Sequence, residues 1–203
     1  MFYRVIRGLA KLLMHIWFKI EYYGEENIPA SGGFLLVANH VSNLDPVMLA
    51  IHLKRQICFM AKAELFGNPL FSAIFGGLGA FAVSRGAGET DKIEFGAGLV
   101  REGKILGLFP EGTRSKTGEL RRAKSGASLV AYKSGADILP AGISYPQGKG
   151  FRARVVVRYG TLLPASELPV KTGALPEIKQ LSRLIMEHIG AQLEGALSEG
   201  SVR

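Results

Sequence analysis

The sequence predicts an α/β fold: a single domain with a central, largely parallel sheet flanked by helices, preceded by an N-terminal amphipathic helix or helix pair. Three observations predict it. From residue 34 onward, short apolar runs alternate with helix-period segments, the rhythm of strand–helix–strand units in parallel sheets. The first twenty residues carry a narrow basic stripe on an apolar body. The 203 residues, 47% hydrophobic and 21% charged, suit one domain with a sizeable core and exclude a disordered chain.

In the N-terminal stretch, Arg4, Arg7, Lys11, His15 and Lys19 follow one another at intervals of three, four, four and four residues. On a helix turning roughly 100° per residue they fall in a stripe about 120° wide. The rest of the surface is apolar, from Val5 and Leu9 to Ile16 and Ile20. This pattern fits a helix lying in a membrane interface, its bases toward anionic headgroups and its apolar body among acyl chains. Trp17, Tyr22 and Tyr23 suit the headgroup level. The same helix can instead pack against the protein's own core, or divide in two at Gly8. The expected organisation is a membrane-interface helical segment over 1–27 and one domain over 28–203. Leu65 to Ser84 lacks charge, but Gly67-Asn68-Pro69 and Gly76, Gly77 and Gly79 interrupt it. A buried or shallowly inserted segment is expected there rather than a membrane span. Charges interrupting the N-terminal apolar stretch predict no secretory signal.

Phe34 to Ala38 is predicted as a strand and Asp45 to His52 as a helix. Strands are expected over Gln56–Met60 and Ala80–Val83, then a helix over Glu89–Arg101. A strand over Ile105–Phe109, a helix over Lys124–Ser134 and a strand over Asp137–Ile143 continue the alternation. Phe151 to Tyr159 sets Phe151, Ala153, Val155, Val157 and Tyr159 against Arg152, Arg154, Val156 and Arg158, which predicts a strand with one wet, basic face. Pro176 to Leu197 is a closing helix with Ile178, Leu181, Ile185, Ile189 and Leu193 on one side.

Net charge is +8, from 25 Lys and Arg against 17 Asp and Glu, so anionic partners are favoured. The aromatics sit in apolar segments rather than among basic residues, which argues against nucleic acid. The one cysteine, Cys58, excludes an intrachain disulfide and a Cys-based metal site, and lies in an apolar run as a small core hydrophobe.

Polar residues collect just after the strands, where ligands bind in such folds. The first strand runs into Asn39-His40-Val41-Ser42-Asn43-Leu44-Asp45. A carboxylate five residues beyond a His can hold one ring nitrogen and leave the other to take a proton. Equally, Asp45 can cap the next helix. Phe109-Pro110-Glu111-Gly112-Thr113-Arg114-Ser115 follows another strand with the glycine, hydroxyls and guanidinium of an anion or hydroxyl cradle. Lys62 and Arg85 follow two more. Together these residues describe a base beside an anion pocket. No enzyme nucleophile stands near the His, so a substrate hydroxyl is its natural partner. An intact His40–Asp45 pair has no use in a protein that only binds lipid.

These blocks resemble those of bacterial 1-acylglycerol-3-phosphate acyltransferases in the glycerolipid acyltransferase superfamily. Asn39-His40 with Asp45 matches the family's first block, Gly79 to Arg85 its second, Phe109 to Ser115 its third, and Ile138-Leu139-Pro140-Ala141-Gly142-Ile143 its fourth. The four stand in the family's order across residues 34–143. One departure is Ala141-Gly142, where a β-branched residue is common.

The resemblance implies acyl transfer from acyl-CoA or acyl-carrier protein to the sn-2 hydroxyl of lysophosphatidic acid, giving phosphatidic acid at the cytoplasmic face of the inner membrane. His40 is then the general base, oriented by Asp45. Lys62, Arg85 and Arg114 hold the acceptor phosphate, and Glu111, Gly112 and Thr113 shape the acceptor site. No metal or organic cofactor is implied. Glycerol 3-phosphate, another lysophospholipid or a lyso-aminolipid are alternative acceptors. Leu65 to Leu78 is expected to line an acyl-chain channel or to pack in the core.

Overall fold

The run Phe34–Ala38, every residue of it buried, is the middle strand of the sheet. The computed structural model describes residues 2–62, 76, 80–83 and 88–201. In chain order the strands are β1 (Lys19–Tyr23), β2 (Phe34–Ala38), β3 (Ile57–Lys62), β4 (Ala80–Val83), β5 (Ile105–Leu108), β6 (Ile138–Ser144) and β7 (Arg154–Tyr159). The helices are α1 (Phe2–Trp17), α2 (Asp45–His52), α3 (Glu89–Arg101), α4 (Gly126–Ser134) and α5 (Leu175–Ser201). The seven strands among the described residues lie in the order β1-β7-β6-β2-β5-β3-β4. All pairings are parallel except β6 with β7.

Strand alternation sends side chains to both faces, and both are apolar because both are covered. Phe34, Leu36, Leu139, Ile143 and Val155 pack under α1 and α2. Leu35, Val37, Leu106 and Ile138 pack with Ala97 of α3, Val130 of α4 and Leu181, Ile185 and Ile189 of α5. Gly142 lets α5 lie directly on β6, since a Cβ there would stand 2.3 Å from the backbone nitrogen of Leu193. Close helix–strand approach is the physical reason for the glycine in Ala141-Gly142, the pair that departs from the family pattern after Pro140. Cys58 is half-buried and its thiol is pushed up by that burial, in keeping with a packing role.

Two expectations are corrected. The N-terminal helical segment does not extend to residue 27. The helix ends at Trp17, and Lys19–Tyr23 pairs with β7 as a strand. Ile20, Tyr22 and Tyr23 are β-formers, and tertiary pairing takes them. The basic face of β7 is wet only at Arg158, whose side chain is partly exposed. Arg154 is buried, with Nη2 and Nε donating to the Glu21 carboxylate at 2.8 and 3.1 Å and Nη1 donating to the Gly200 carbonyl at 2.8 Å. Arg158 pairs with Glu199 at 2.9 Å. The guanidinium groups thus lie against the C-terminal turn of α5, where cations are favoured.

α1 rests on α2 through Ile6, Ala10 and Met14, one per turn. Arg7 donates to the Leu53 carbonyl at the end of α2, so one member of the basic stripe is turned inward. At that same end His52 is stacked on Tyr22 (3.8 Å between ring centres, 23°) and lies 5.7 Å from the Tyr159 ring, with Glu25 at 3.6 Å. Burial holds His52 below its ordinary value, Glu25 opposes the shift, and the charges of Lys11, Arg7 and His15 add to it. The unfolded chain therefore binds this proton more readily than the folded one. The stability involved is complete above about pH 6.5 and is lost as pH falls toward the lowered folded value. His52→Gln is expected to flatten the fall of Tm below about pH 6.5. A variant with the wild-type slope in thermal melts across that range would exclude His52 as the source.

Candidate active site

The C-terminal ends of the parallel strands β2, β5, β3 and β4 share one edge of the sheet, and the loops there carry the polar residues. β2 stops at Ala38, and the Asn39 side chain continues its ladder in place of the backbone. Its amide Nδ2 donates to the Ile143 carbonyl at 2.9 Å, and its Oδ1 accepts the Ile143 N–H at 2.7 Å. The main chain is thereby free to turn out of the sheet at His40.

The His40 backbone is held on both sides by the loop after β5. Its N–H donates to Glu111 Oε1 at 2.7 Å, and its carbonyl accepts the Ser115 N–H at 2.7 Å. The ring stacks on Phe109 with centres 4.1 Å apart at 17°, and Phe109 in turn stacks on Phe59. Nδ1 lies 2.8 Å from Asp45 Oδ2. An ionised carboxylate can only accept, so it selects the tautomer with the hydrogen on Nδ1 and the lone pair on Nε2. The ring remains 18% exposed, enough for a reactant to reach it.

Asp45 is fully buried at the start of α2. Its carboxylate does not cap that helix. It turns back to accept the N–H groups of Val41 and Ser42, both at 2.7 Å on Oδ2, while Oδ1 accepts the Tyr145 hydroxyl at 2.8 Å. With His40 this makes four hydrogen bonds to one buried charge, and its place in the first helical turn adds favourable dipole contact. Of the two readings that the sequence leaves open, orientation of the His is the one with a contact.

Glu111 is buried and braces two loops, Oε1 on the His40 N–H and Oε2 on the Arg121 N–H at 3.1 Å. Burial raises its carboxyl above the usual range, and the His40 and Arg121 N–H groups work against that rise. Gly112 closes the turn at φ 69°, with its N–H on the Phe109 carbonyl. That left-handed geometry favours glycine, and a Cβ would also meet the Lys124 side chain at 2.9 Å. Thr113 and Arg114 are exposed on the rim, and Ser115 is buried.

The structure thus gathers His40, Asp45, Glu111 and Gly112, with Thr113 and Arg114 beside them. Lys62 is the last residue of β3, opposite Val83 of β4, so its backbone reaches the same edge. Arg85 lies outside the described residues, as does nearly all of the expected acyl-channel segment over 65–78. Two contributors escape a sequence reading. Asn39 stands in the first block, but its cross-strand pairing appears only in three dimensions. Tyr145 follows β6, a hundred residues from Asp45, and no local pattern marks it.

The acyltransferase family matches residues 19–144. A 1-acyl-sn-glycerol-3-phosphate acyltransferase of Bacillus subtilis (strain 168) is 32% identical over 145 residues, 71% of this chain and 72% of that protein. One of Borreliella burgdorferi is 32% identical over 128 residues, 60% of this chain, and the chain spans half of its length. In fold, the chain superposes on the crystal structure of the 1-acyl-sn-glycerophosphate (LPA) acyltransferase PlsC from Thermotoga maritima with a TM-score of 0.72 and 22% identity. That likeness covers 99% of this chain and 80% of the other, and it extends to the whole fold.

Proposed function

The chain belongs to the acyltransferase family, and from that premise we propose that it moves a fatty acyl group from acyl-CoA or acyl-carrier protein to the sn-2 hydroxyl of lysophosphatidic acid, giving phosphatidic acid. The observation that carries this reading is the His40–Asp45 pair at 2.8 Å, with Nε2 left to accept a proton at a strand-end edge where no enzyme nucleophile is hydrogen-bonded to the ring among the described residues.

His40 Nε2 takes the proton of the acceptor hydroxyl as its oxygen attacks the thioester carbonyl carbon. The C–S bond breaks as the tetrahedral carbon collapses, and the imidazolium returns its proton to the departing thiolate. Asp45 stays ionised throughout and stabilises the imidazolium. General base action contributes roughly 10²–10⁴-fold, and correct orientation of the two reactants up to about 7–11 kcal/mol. Lys62, Arg85 and Arg114 hold the acceptor phosphate. Gly112 and Thr113 form its rim, and Glu111 serves the acceptor through the loop that it braces.

We place the reaction at the cytoplasmic face of the inner membrane. Val5, Leu9, Leu12, Leu13, Ile16 and Trp17 of α1 are 49–60% exposed, an apolar patch of the kind that marks an interaction surface. Arg4 and Lys11 are exposed on the same helix, in keeping with an anionic lipid surface. No described helix is long and apolar enough to cross a membrane.

The test is purified protein with palmitoyl-CoA or palmitoyl-carrier protein and either lysophosphatidic acid or glycerol 3-phosphate, with products read by mass spectrometry. Phosphatidic acid is the expected product. Product from glycerol 3-phosphate alone would reassign the acceptor, and none with any pair would remove the reading. Flotation with anionic vesicles tests the membrane contact. Leu12→Glu with Leu13→Glu is expected to leave the protein at the bottom of the gradient, and co-flotation of that variant would exclude α1 as the anchor.

A further inference from the structure

The loop between β6 and β7 reaches both the His–Asp pair and the end of α1. At its near end, the Tyr145 hydroxyl donates to Asp45 Oδ1 at 2.8 Å, the oxygen that does not face His40. Tyr145 is itself held. Its ring lies edge-on to Phe18 at 6.4 Å, and Lys149 stands 5.2 Å from the ring centre while donating to the Val41 carbonyl. At its far end, Phe151 packs edge-on against Trp17 at 5.5 Å. The Arg152 N–H donates to the Trp17 carbonyl, and its guanidinium donates to the His15 carbonyl at 3.0 Å. The loop is thus fixed at both ends, and the hydroxyl is delivered to Asp45 without freedom to swing away.

We propose that Tyr145 is a positioning residue for acyl transfer, one that holds the Asp45 carboxylate in the plane of the His40 ring and, by sharing its charge, sets the basicity of His40.

Three donors on Oδ2 fix one oxygen, but the carboxylate can still rotate about them. A fourth donor on Oδ1 removes that rotation. Burial is the largest cause holding the Tyr145 hydroxyl far above its ordinary value, with Asp45 second, so Tyr145 remains a donor at every working pH. A donor on a carboxylate also disperses its negative charge. Asp45 therefore attracts an imidazolium less strongly with Tyr145 than without it. The other ionisable groups facing the pair are Glu111, on the His40 N–H, Lys149, over the Tyr145 ring, and Tyr22, which burial keeps a neutral phenol. None of them bonds to Asp45 Oδ1 among the described contacts.

The proposal rests on His40 as the base, and its test has one arm that needs no activity. In Tyr145→Phe, kcat is expected to fall roughly tenfold, on the scale of one hydrogen bond to a charged group, with KM nearly unchanged. The acid limb of the pH–kcat profile is expected to move upward, and the His40 ring, followed by NMR in the protein without substrate, should titrate higher by the same amount. 3-Fluorotyrosine placed at 145 keeps the shape and strengthens the donor, so it should move both readings downward, even if the phenylalanine variant folds poorly. An unmoved His40 titration in both variants would overturn the proposal. A titration that moves as expected in a protein that transfers no acyl group would keep the contact and remove the reaction on which the kinetic role depends.

Discussion

His40→Ala is expected to lower kcat by about 10²–10⁴-fold with little change in Tm, the range that a positioned general base supplies. The fold tolerates the change because the structural duties of residue 40 belong to its backbone. Its N–H still donates to Glu111, and its carbonyl still accepts from Ser115. Asp45 loses one donor of four and keeps Val41, Ser42 and Tyr145, so its buried charge stays solvated by protein. The stack on Phe109 is lost, but the ring was partly exposed, so the apolar area lost is small. What disappears is the lone pair on Nε2. An alcohol is a weak nucleophile until its proton has somewhere to go, and Asp45, the carboxylate bonded to the ring, stays committed to its donors from Val41, Ser42 and Tyr145. Residual rate reflects the orientation of acceptor and thioester alone. Initial rates of phosphatidic acid formation, with melting curves beside them, check both halves. A variant within a few fold of wild type would show that proton transfer to residue 40 does not limit the reaction.

How much of this was legible in the chain depends on the range of the signal. The strands β2, β5 and β6 are continuous apolar runs because helices cover both of their faces, and such runs are readable locally. The His40–Asp45 pair was legible because five residues separate its members and a turn can join them. β1 was not. Lys19–Tyr23 continues the 3.6-residue basic stripe of α1, and only β7, more than a hundred residues away, makes it a strand. Arg154 misled for a related reason. Alternation set it on a polar face, and nothing nearby revealed that Glu21 and the end of α5 would bury it. Gly142 looked like a departure from the family pattern until the backbone of α5 was seen against it. In each case a long-range contact overrode a correct local period. Tyr145 belongs with these, since its partner lies a hundred residues away and its loop is fixed by α1.

Asp45→Ala is expected to act the other way round, on stability before rate. It strands the N–H groups of Val41 and Ser42, the Tyr145 hydroxyl and the hydrogen on His40 Nδ1, all beside a fully buried site. Each buried donor left unsatisfied costs about 1–3 kcal/mol. Four of them approach the whole stability of an ordinary domain, roughly 5–15 kcal/mol. Water entering the space vacated by the carboxylate offsets part of that cost, and a large fall in Tm is expected. Asp45→Asn separates the two roles. With its amide oxygen in the place of Oδ2 it still accepts from Val41, Ser42 and His40, and its NH₂ can donate to the Tyr145 oxygen once that hydroxyl turns away. Shape and tautomer survive, and the charge does not. The imidazolium then loses its counter-ion, so His40 becomes a weaker base. The acid limb of the pH–kcat profile should move downward, opposite to Tyr145→Phe, while kcat falls by roughly tenfold or more, the difference between a hydrogen bond to a charged partner and one to a neutral partner. Equal Tm for the alanine and asparagine variants would show that the four donors find water when the carboxylate leaves. A downward limb at near-native Tm in the asparagine variant would assign the charge of Asp45 to the reaction and its oxygens to the fold.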